Sequence, residues 1–322
     1  MMNSSLLSKK LSNKQDLICW VLTEGMIGTQ NQCVGVAEAL GITPVIKKIG
    51  LRQPWKILTP WLGFETAYSF TPSLQPPWPD LLIASGRKSV AASRYIKKHS
   101  GGKTFTVQIQ DPKTNPAQFD LVAVPHHDNL RGDNVIVTDG APNKITPEIL
   151  NNAKKKFASM FKPMPSPRVA VLIGGNSRTH TLTKNIVEKF CTQLSKLDAN
   201  LMVTTSRRTG QENLKLIEQE LTNAENFIWD GSGENPYMGM LSWADYIIVT
   251  SDSVSMLSDA ATTGKPVYVI NLEGNSQRFD RLHKNFQNIG VSRPFDGNLE
   301  SWTYEPLNDA QRIADAIAQK MG

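Results

Sequence analysis

One short segment of the sequence concentrates side chains that suit the binding of a phosphate group. Residues 250–256 read Thr-Ser-Asp-Ser-Val-Ser-Met and follow an apolar run typical of a buried strand. A helix is predicted to begin at Asp252 or Ser253, and the first amides of a helix, together with its dipole, attract anions. One capping residue suffices for a plain helix start, so we interpret the additional polar residues as a nucleotide diphosphate site. Its predicted ligands are Asp252, Ser253, Ser255 and Met256, with Asp259 two turns on for the ribose hydroxyls.

Two further loops place phosphate-binding residue types after predicted strands. Their residues are Gly174, Gly175 and Asn176 after one strand, and Ser206, Arg207 and Arg208 after another. Glycine lets the backbone approach a ligand closely, and the planar guanidinium of arginine binds phosphate through parallel hydrogen bonds. In an open parallel sheet the loops at the carboxyl ends of the strands line the binding crevice. We expect these loops to join the diphosphate site; a tight turn and solvated or carboxylate-paired arginines are the alternatives.

Candidate bases for an acceptor hydroxyl lie in the N-terminal half. They are Glu24, Asp111 and His127, each in a loop after a predicted strand. His127 follows His126, but adjacent strand positions point to opposite faces, so the two rings are not expected to share a metal ion. A structural or surface role is the alternative for the histidine. No metal ion and no cofactor are predicted.

Several other classes of site lack their motifs in this sequence. There is no GxGxxG after the first predicted strand, and GxxxxGK[ST], HExxH and GxSxG are absent. The net charge of +6 and the pI of about 9.1 suit an acidic ligand. The lysines form short clusters without interleaved aromatic residues, so no nucleic-acid partner is predicted. Three cysteines without a CxxC pair favour reduced thiols in a reducing compartment.

Apolar runs of strand length alternate with amphipathic stretches of helix length along most of the chain. This order predicts an α/β protein with doubly wound parallel sheets. With 322 residues the chain exceeds the usual size of one core, and three prolines in residues 161–167 indicate a stiff linker. We predict an N-terminal Rossmann-like, acceptor-side domain (1–160), a C-terminal Rossmann-like nucleotide-binding domain (168–304), and a C-terminal helix (305–322) whose candidate packing partner is the N-terminal domain.

The sequence contains no apolar segment near the ~20 residues needed to cross a membrane, and residues 1–15 lack an apolar stretch of signal-peptide length. A cytoplasmic location is therefore expected. Residues 54–64 are rich in aromatic side chains, and Arg52 and Lys56 add positive charge. Burial of this segment against the sheet is the favoured interpretation. Peripheral contact with the inner face of a membrane is the alternative.

Several separated motifs occur in an order that resembles a known family. They are Gly25-x-x-Gly28-x-x-Asn31-Gln32, Gln110-Asp111-Pro112, residues 204–209, Asn235-Pro236-Tyr237, residues 250–256, residues 263–267 and Arg293-Pro294-Phe295. Over residues 20–310 they resemble the mitochondrial-fission, elongated-mitochondria family of plants and bacteria. The resemblance implies a GT-B-like fold, in which two Rossmann-like domains face a cleft and the C-terminal domain holds most of the donor nucleotide.

The segment from Ser251 to Asp259 is also similar to the donor loop of non-hydrolysing nucleoside-diphosphate-sugar epimerases. Val254 and Ser255 replace two glycines of that loop, and Asp259 replaces a ribose-binding glutamate that is one methylene longer. The predicted ligand is a nucleoside-diphosphate sugar, and the predicted acceptor is a sugar or a lipid. Glycosyl transfer is the favoured function; a sugar epimerase on the same fold and a non-catalytic adaptor of the fission type are the alternatives.

Overall fold

The computed structural model describes residues 17–223, 225–274 and 276–322 of the chain. Its contacts divide the chain into two compact units. The first unit comprises the described residues up to Lys144 together with Asn308–Gly322, and the second comprises Ile145–Leu307.

The first unit is built on a parallel sheet. Its strands are β1 (Cys19–Thr23), β2 (Val45–Lys48), β3 (Gly50–Leu51), β4 (Phe70–Thr71), β5 (Leu81–Ser85), β6 (Phe105–Ile109), β7 (Leu121–Pro125) and β8 (Val135–Thr138). Its first helices are α1 (Ile27–Ala39), α2 (Trp55–Leu58) and α3 (Val90–His99). The described residues form a six-stranded parallel sheet in the order β2-β1-β5-β6-β7-β8, and β3 pairs with β4 in a separate antiparallel ribbon.

Alternate residues of the first sheet face different helices. Val21 and Ile83 pack in one apolar cluster with α1, whereas Leu22 and Leu82 pack in another cluster with α3. Because both faces are covered, strands such as β5 are apolar along almost their whole length rather than alternating in polarity. The prediction of a doubly wound parallel sheet is confirmed for this unit.

The second unit repeats this architecture. Its strands are β9 (Arg168–Ile173), β10 (His180–Thr181), β11 (Asn200–Thr205), β12 (Phe227–Ile228), β13 (Tyr246–Thr250), β14 (Val267–Ile270), β15 (Glu273–Gly274) and β16 (Ser292–Pro294). Its helices are α4 (Pro147–Lys156), α5 (Ala158–Phe161), α6 (Lys184–Leu194), α7 (Gln211–Leu221), α8 (Tyr237–Trp243), α9 (Val254–Thr262) and α10 (Gln277–Asn288). In the described residues the parallel sheet has the order β12-β11-β9-β13-β14-β16, and β10 pairs with β15.

Helices cover both faces of the second sheet as well. Val171 packs on one face in a cluster with α6 and α7, and Leu172 packs on the other in a cluster with α8, α9 and α10. The sheet order places β11, β9 and β13 side by side, so the loops that follow these three strands leave the sheet at the same edge.

The segment predicted to link the domains lies inside the second unit. Phe161 is fully buried in the cluster that contains Leu172, and the indole N–H of Trp243 donates to the carbonyl of Lys154. The proline-rich run is fixed to the sheet, because the Asn200 amide donates to the Pro167 carbonyl and its side chain donates to the Pro165 carbonyl. Helices α4 and α5 therefore group with the second sheet.

The C-terminal helix α11 (Asp309–Met321) returns to the first unit and packs against α1. The buried carboxylate of Asp309 accepts hydrogen bonds from the amides of Asp139 and Gly140, at 3.1 and 2.8 Å, and pairs with Arg312. Burial raises the pKa of Asp309, while these amides and the guanidinium act in the opposite direction. Within the described ranges no helix combines the length and apolar character needed to span a bilayer.

Candidate functional site

The three predicted phosphate-binding loops follow β9, β11 and β13, which lie next to one another in the second sheet. Parallel pairing aligns the ends of these strands: Thr205 is opposite Ile173, and Val249 is opposite Leu172. The structure thus brings together residues 174–176, 206–209 and 250–256 at one edge of the sheet.

The buried carboxylate of Asp252 connects these loops. One oxygen accepts from the Gly175 amide at 3.0 Å and pairs with the Arg208 guanidinium at 2.7 Å, and the other accepts from the Thr250 hydroxyl at 2.7 Å. The Thr250 oxygen in turn accepts from the Gly174 amide at 2.7 Å. Because the Asp252 side chain has no exposed surface, its charge acts on its own loops rather than on a bound anion. Asp252 is therefore a positioning residue.

The two glycines after β9 are required by close packing. A Cβ atom on Gly174 would lie 2.2 Å from a carboxylate oxygen of Asp252, and a Cβ atom on Gly175 would lie 2.1 Å from the carbonyl oxygen of Arg208. Their amides donate to Thr250 and Asp252, and the amide of Asn176 donates to the Arg208 carbonyl. These amides join residues 174–176 to the loops after β11 and β13, and we call this arrangement around Asp252 the loop junction. In it the three amides are not available as donors to a ligand.

The loop after β11 is fixed by its hydroxyl groups and presents its guanidinium groups outward. The Ser206 hydroxyl accepts from the amide of Arg208 at 3.1 Å, and the buried Thr209 hydroxyl donates to the carbonyl of Gly174. The side chain of Arg207 is exposed, and that of Arg208 is 41% exposed despite its ion pair. Thr209, in the turn between β11 and α7, is a connecting residue that was not among the predicted ligands.

Ser253 is the N-cap of helix α9, and its hydroxyl accepts from the amide of Met256 at 3.3 Å. Of the two N-cap positions considered from the sequence, Ser253 is the one used. Val254 and Ser255 occupy the first turn, where backbone amides have no partner inside the helix. Ser255 and Met256 are partly buried. Because Arg208 pairs with Asp252, which precedes this N-cap, its guanidinium group lies near the positive end of the helix.

Asp259 lies further along α9 and is hydrogen-bonded to Tyr237 of α8, with 3.0 Å between the phenol oxygen and the carboxylate. Burial raises the pKa of Asp259 to about 7, and the hydrogen bond from Tyr237 lowers it in part. Burial, together with the nearby Asp259 charge, also raises the pKa of Tyr237. The carboxyl group therefore titrates near neutral pH, and its Tyr237 partner is a second residue that sequence reasoning did not place in the site.

The candidate bases of the first unit have separate environments. Glu24, after β1, pairs with Lys88 at 2.8 Å, and Asp111, after β6, pairs with Lys113 at 2.6 Å. His127, after β7, is completely buried. Glu24 and Asp111 retain 30% and 16% side-chain exposure, so they can meet a solute, whereas the ring of His127 has no exposed surface in this conformation.

Solved structures with the same fold include a UDP-GlcNAc 2-epimerase and a glycosyltransferase. The UDP-GlcNAc 2-epimerase of Methanocaldococcus jannaschii, in complex with UDP-GlcNAc and UDP, is 15% identical, with a TM-score of 0.53 over 94% of this chain and 99% of that one. The glycosyltransferase SnogD of Streptomyces nogalater is 13% identical, with a TM-score of 0.51 over 94% of each chain. At these identities the similarity defines the fold alone, and the predicted GT-B-like α/β fold is confirmed.

The family model for mitochondrial fission ELM1 matches residues 27–321. The chain therefore belongs to the mitochondrial fission ELM1 family, and the resemblance found in its motifs is confirmed. The mitochondrial fission protein ELM1 of Arabidopsis thaliana is 28% identical, in an alignment that covers 94% of this chain and 90% of that protein.

Proposed function

We propose that the second unit binds a nucleoside-diphosphate sugar, with the diphosphate beside Arg207, Arg208 and the first turn of α9. The convergence of three loops around the buried Asp252 carboxylate is the observation that carries this proposal. A plain capped helix needs only Ser253, whereas here the pair with Asp252 also holds Arg208 near the helix start, and the exposed Arg207 precedes it in the same loop. Cationic side chains and a helix N-terminus together favour an anion with more than one charge.

Arg208 keeps most of its donors for a ligand. A guanidinium has five N–H groups in a fixed plane, and the Asp252 contact at 2.7 Å uses one terminal nitrogen. The buried carboxylate thereby orients the guanidinium before the ligand arrives, which reduces the entropy lost on binding. Arg207 adds a second exposed guanidinium from the same loop. The hydroxyl of Ser255 and the first-turn amides of α9 supply neutral donors to the same phosphate groups.

Asp259 is the proposed contact for the ribose. Its carboxyl group is partly buried and hydrogen-bonded to Tyr237 two turns from the proposed diphosphate position. With a pKa of about 7 it can accept a hydrogen bond when ionised and donate one when protonated. Both forms can hydrogen-bond a ribose hydroxyl.

The choice of a nucleotide sugar as ligand also draws on proteins of the same fold. The archaeal epimerase binds UDP-GlcNAc and UDP, and SnogD is a glycosyltransferase. These activities belong to those proteins. They direct the first experiments with this chain towards nucleoside diphosphates and their sugars.

Glycosyl transfer is the proposed reaction. The bond between the sugar carbon and the diphosphate oxygen breaks, a bond to an acceptor hydroxyl oxygen forms, and the acceptor proton passes to a carboxylate. Arg207 and Arg208 would stabilise the charge that develops on the departing diphosphate, which is the main catalytic effect in reactions of this kind. Glu24 and Asp111 are the proposed bases because both carboxylates are partly exposed; His127 would need its loop to open.

Binding is tested first by titration calorimetry with UDP, ADP, GDP and CDP, using inorganic pyrophosphate for comparison. Arg208→Gln and Arg207→Gln should each weaken binding of the preferred diphosphate by about tenfold, because a charge-assisted hydrogen bond contributes about 1.5–3 kcal/mol. Lys215→Gln, an exposed substitution on α7 with the same charge change, is the matched control. Failure of every nucleotide to bind, or an equal loss in the Lys215 variant, would contradict the proposal.

Turnover is tested by incubating the full chain with nucleotide sugars and with sugar or lipid acceptors, and measuring the release of free nucleoside diphosphate. Acceptor-dependent release that is lost in Glu24→Gln or Asp111→Asn supports glycosyl transfer. Inversion of the sugar without an acceptor, seen by NMR, indicates an epimerase instead. Binding without either reaction would separate the binding proposal from the transfer proposal.

A non-catalytic interaction protein is the second candidate function. It is favoured by membership of a family named for mitochondrial fission, and by the relative from Arabidopsis thaliana that carries the same name. This function predicts that Arg207→Gln and Arg208→Gln leave partner binding intact. A pull-down with these variants therefore distinguishes it from a role that depends on nucleotide binding.

A further inference from the structure

The aromatic segment, which we define as residues 52–68, lies on the surface of the first unit. Trp61, Phe64 and Tyr68 are 70%, 80% and 76% exposed, and Ile57 is 64% exposed. The interpretation that favoured burial of this segment against the sheet is therefore wrong. Side chains of this size usually make up most of a core, so their exposure together within one segment marks an interaction surface.

Arg94 of α3 holds the backbone of the aromatic segment through hydrogen bonds. The Arg94 guanidinium donates to the carbonyls of Pro60 and Leu62, at 2.6 and 2.8 Å, and pairs with the carboxylate of Glu65. The indole N–H of Trp55 donates to the Phe64 carbonyl at 3.1 Å. These bonds occupy the inner side of the segment and leave its apolar side chains pointing outward on a fixed backbone.

The charges of this surface are positive. Arg52 and Lys56 are exposed, and the guanidinium groups of Arg52 and Arg87 lie over the rings of Tyr68 and Trp61, at 6.0 and 5.8 Å. Within residues 52–68, all of which the structure describes, the acidic side chain is Glu65, and its pairing with Arg94 leaves it 6% exposed. The surface therefore combines large apolar groups with uncompensated cations.

We propose that the aromatic segment docks the protein on a membrane surface rich in anionic lipids. Trp and Tyr rings favour the boundary between headgroups and acyl chains, where an apolar body and a polar edge are both satisfied. Arg52, Lys56 and Arg87 complement the negative headgroups, and each basic residue near such a surface adds to the attraction. The apolar side chains enter the interface while the Arg94 contacts keep the backbone in place. This proposal is independent of nucleotide binding by the second unit.

The experiment measures co-flotation of the full chain with vesicles of phosphatidylcholine and phosphatidylglycerol in equal parts, and with vesicles of phosphatidylcholine alone. We expect the chain to bind the mixed vesicles, and we expect this binding to weaken as the salt concentration rises. Trp61→Ser and Phe64→Ser should each weaken it by about tenfold, since burial of one large apolar side chain changes an affinity by at least that factor. Ile289→Ser, at a site in the second unit that is 41% exposed, is the matched control.

A second pair of variants tests the charges. Arg52→Gln with Lys56→Gln should reduce binding to the mixed vesicles and its dependence on salt, and leave the thermal midpoint unchanged. Equal flotation of the Trp61 and Ile289 variants, or failure of the parent to bind the mixed vesicles, would overturn the proposal. Analytical ultracentrifugation without lipid gives a further test. If the parent self-associates and the Trp61 variant does not, the proposal is overturned, because the segment would then be an interface between copies of this chain.

Discussion

In the second unit a single buried carboxylate, Asp252, joins the loops after three neighbouring strands. The corresponding edge of the first unit uses neutral amides: Gln110 donates to Gln32 at 3.0 Å, and Gln108 donates to the Gly86 carbonyl at 3.0 Å. Glu24 and Asp111, after β1 and β6, lie in exposed or partly exposed lysine pairs. A buried carboxylate of this unit, Asp309, comes from α11 and accepts hydrogen bonds from the amides of one loop, the loop after β8. The two sheets are alike, so the difference lies in what the loops hold.

This difference follows from the cost of burying charge. A buried carboxylate is tolerated only where hydrogen bonds and a cation compensate its desolvation, and such a group fixes its surroundings strongly. Exposed ion pairs contribute little to the free energy of unfolding, and their side chains can exchange partners. The buried carboxylate therefore fixes the loops of the second unit around Asp252 in one arrangement. In the first unit, Glu24 and Asp111 are held by single lysine pairs that leave their side chains 30% and 16% exposed.

The largest effect is expected from Asp252→Ala. It leaves the buried amide of Gly175 and the Thr250 hydroxyl without their acceptor, at a cost of about 3 kcal/mol in the free energy of unfolding. Denaturant unfolding measures this. The matched change in the first unit, Glu24→Ala, should cost less than about 0.5 kcal/mol. Equal losses at the two positions would contradict the comparison.

A smaller effect is expected from Gly175→Ala. The added Cβ atom would meet the carbonyl oxygen of Arg208 at 2.1 Å, and neither backbone can move without disturbing the loop junction. We expect a loss of about 2 kcal/mol in the free energy of unfolding, typical of overpacking. Gly63→Ala, in the first unit, is the control because its added Cβ has no atom within 4 Å. The thermal midpoints of the two variants give the result directly.

The sheet and the position of its loops could be predicted from sequence. The alternation of elements indicated doubly wound parallel sheets, and the rule that ligands bind at the carboxyl ends of strands brought residues 174–176, 206–208 and 250–256 together. Serine and aspartate just after a strand also located the start of α9. These features depend on local composition and on topology rules that hold for every parallel sheet.

Contacts between distant positions could not be predicted. Gly175 and Asp252 are 77 positions apart, and the aspartate turns inward only because Gly174 has no Cβ atom in its path. The burial of His127 and the exposure of Trp61 likewise depend on packing around each residue. Arg94, on α3, fixes the aromatic segment by donating to its backbone carbonyls. The sequence shows only a basic residue within a helical pattern, which does not indicate this role.

A pH effect is expected from Asp259. Its pKa is about 7 in the folded chain against an ordinary value of 3.8, so the folded state binds more protons between these values. Stability should therefore fall as the pH rises from about 4 to about 7, by about 1 kcal/mol after screening of this partly exposed group. Asp259→Asn should remove that part of the slope in denaturant midpoints, whereas Glu212→Gln should retain it. If the stability of the Asp259 variant falls with pH as steeply as that of the parent, the raised pKa of Asp259 is not the cause of the pH effect.

The smallest effect is expected for the exposed pair of Glu24 and Lys88. Side-chain exposures of 30% and 41% leave both groups hydrated, so a double-mutant cycle with Glu24→Gln and Lys88→Gln should give a coupling energy below about 1 kcal/mol. The coupling should fall further in high salt, because exposed charges are screened. A coupling above about 2 kcal/mol would mean that the pair of Glu24 and Lys88 is rigid, and Glu24 would then be held too firmly for its proposed role as a base.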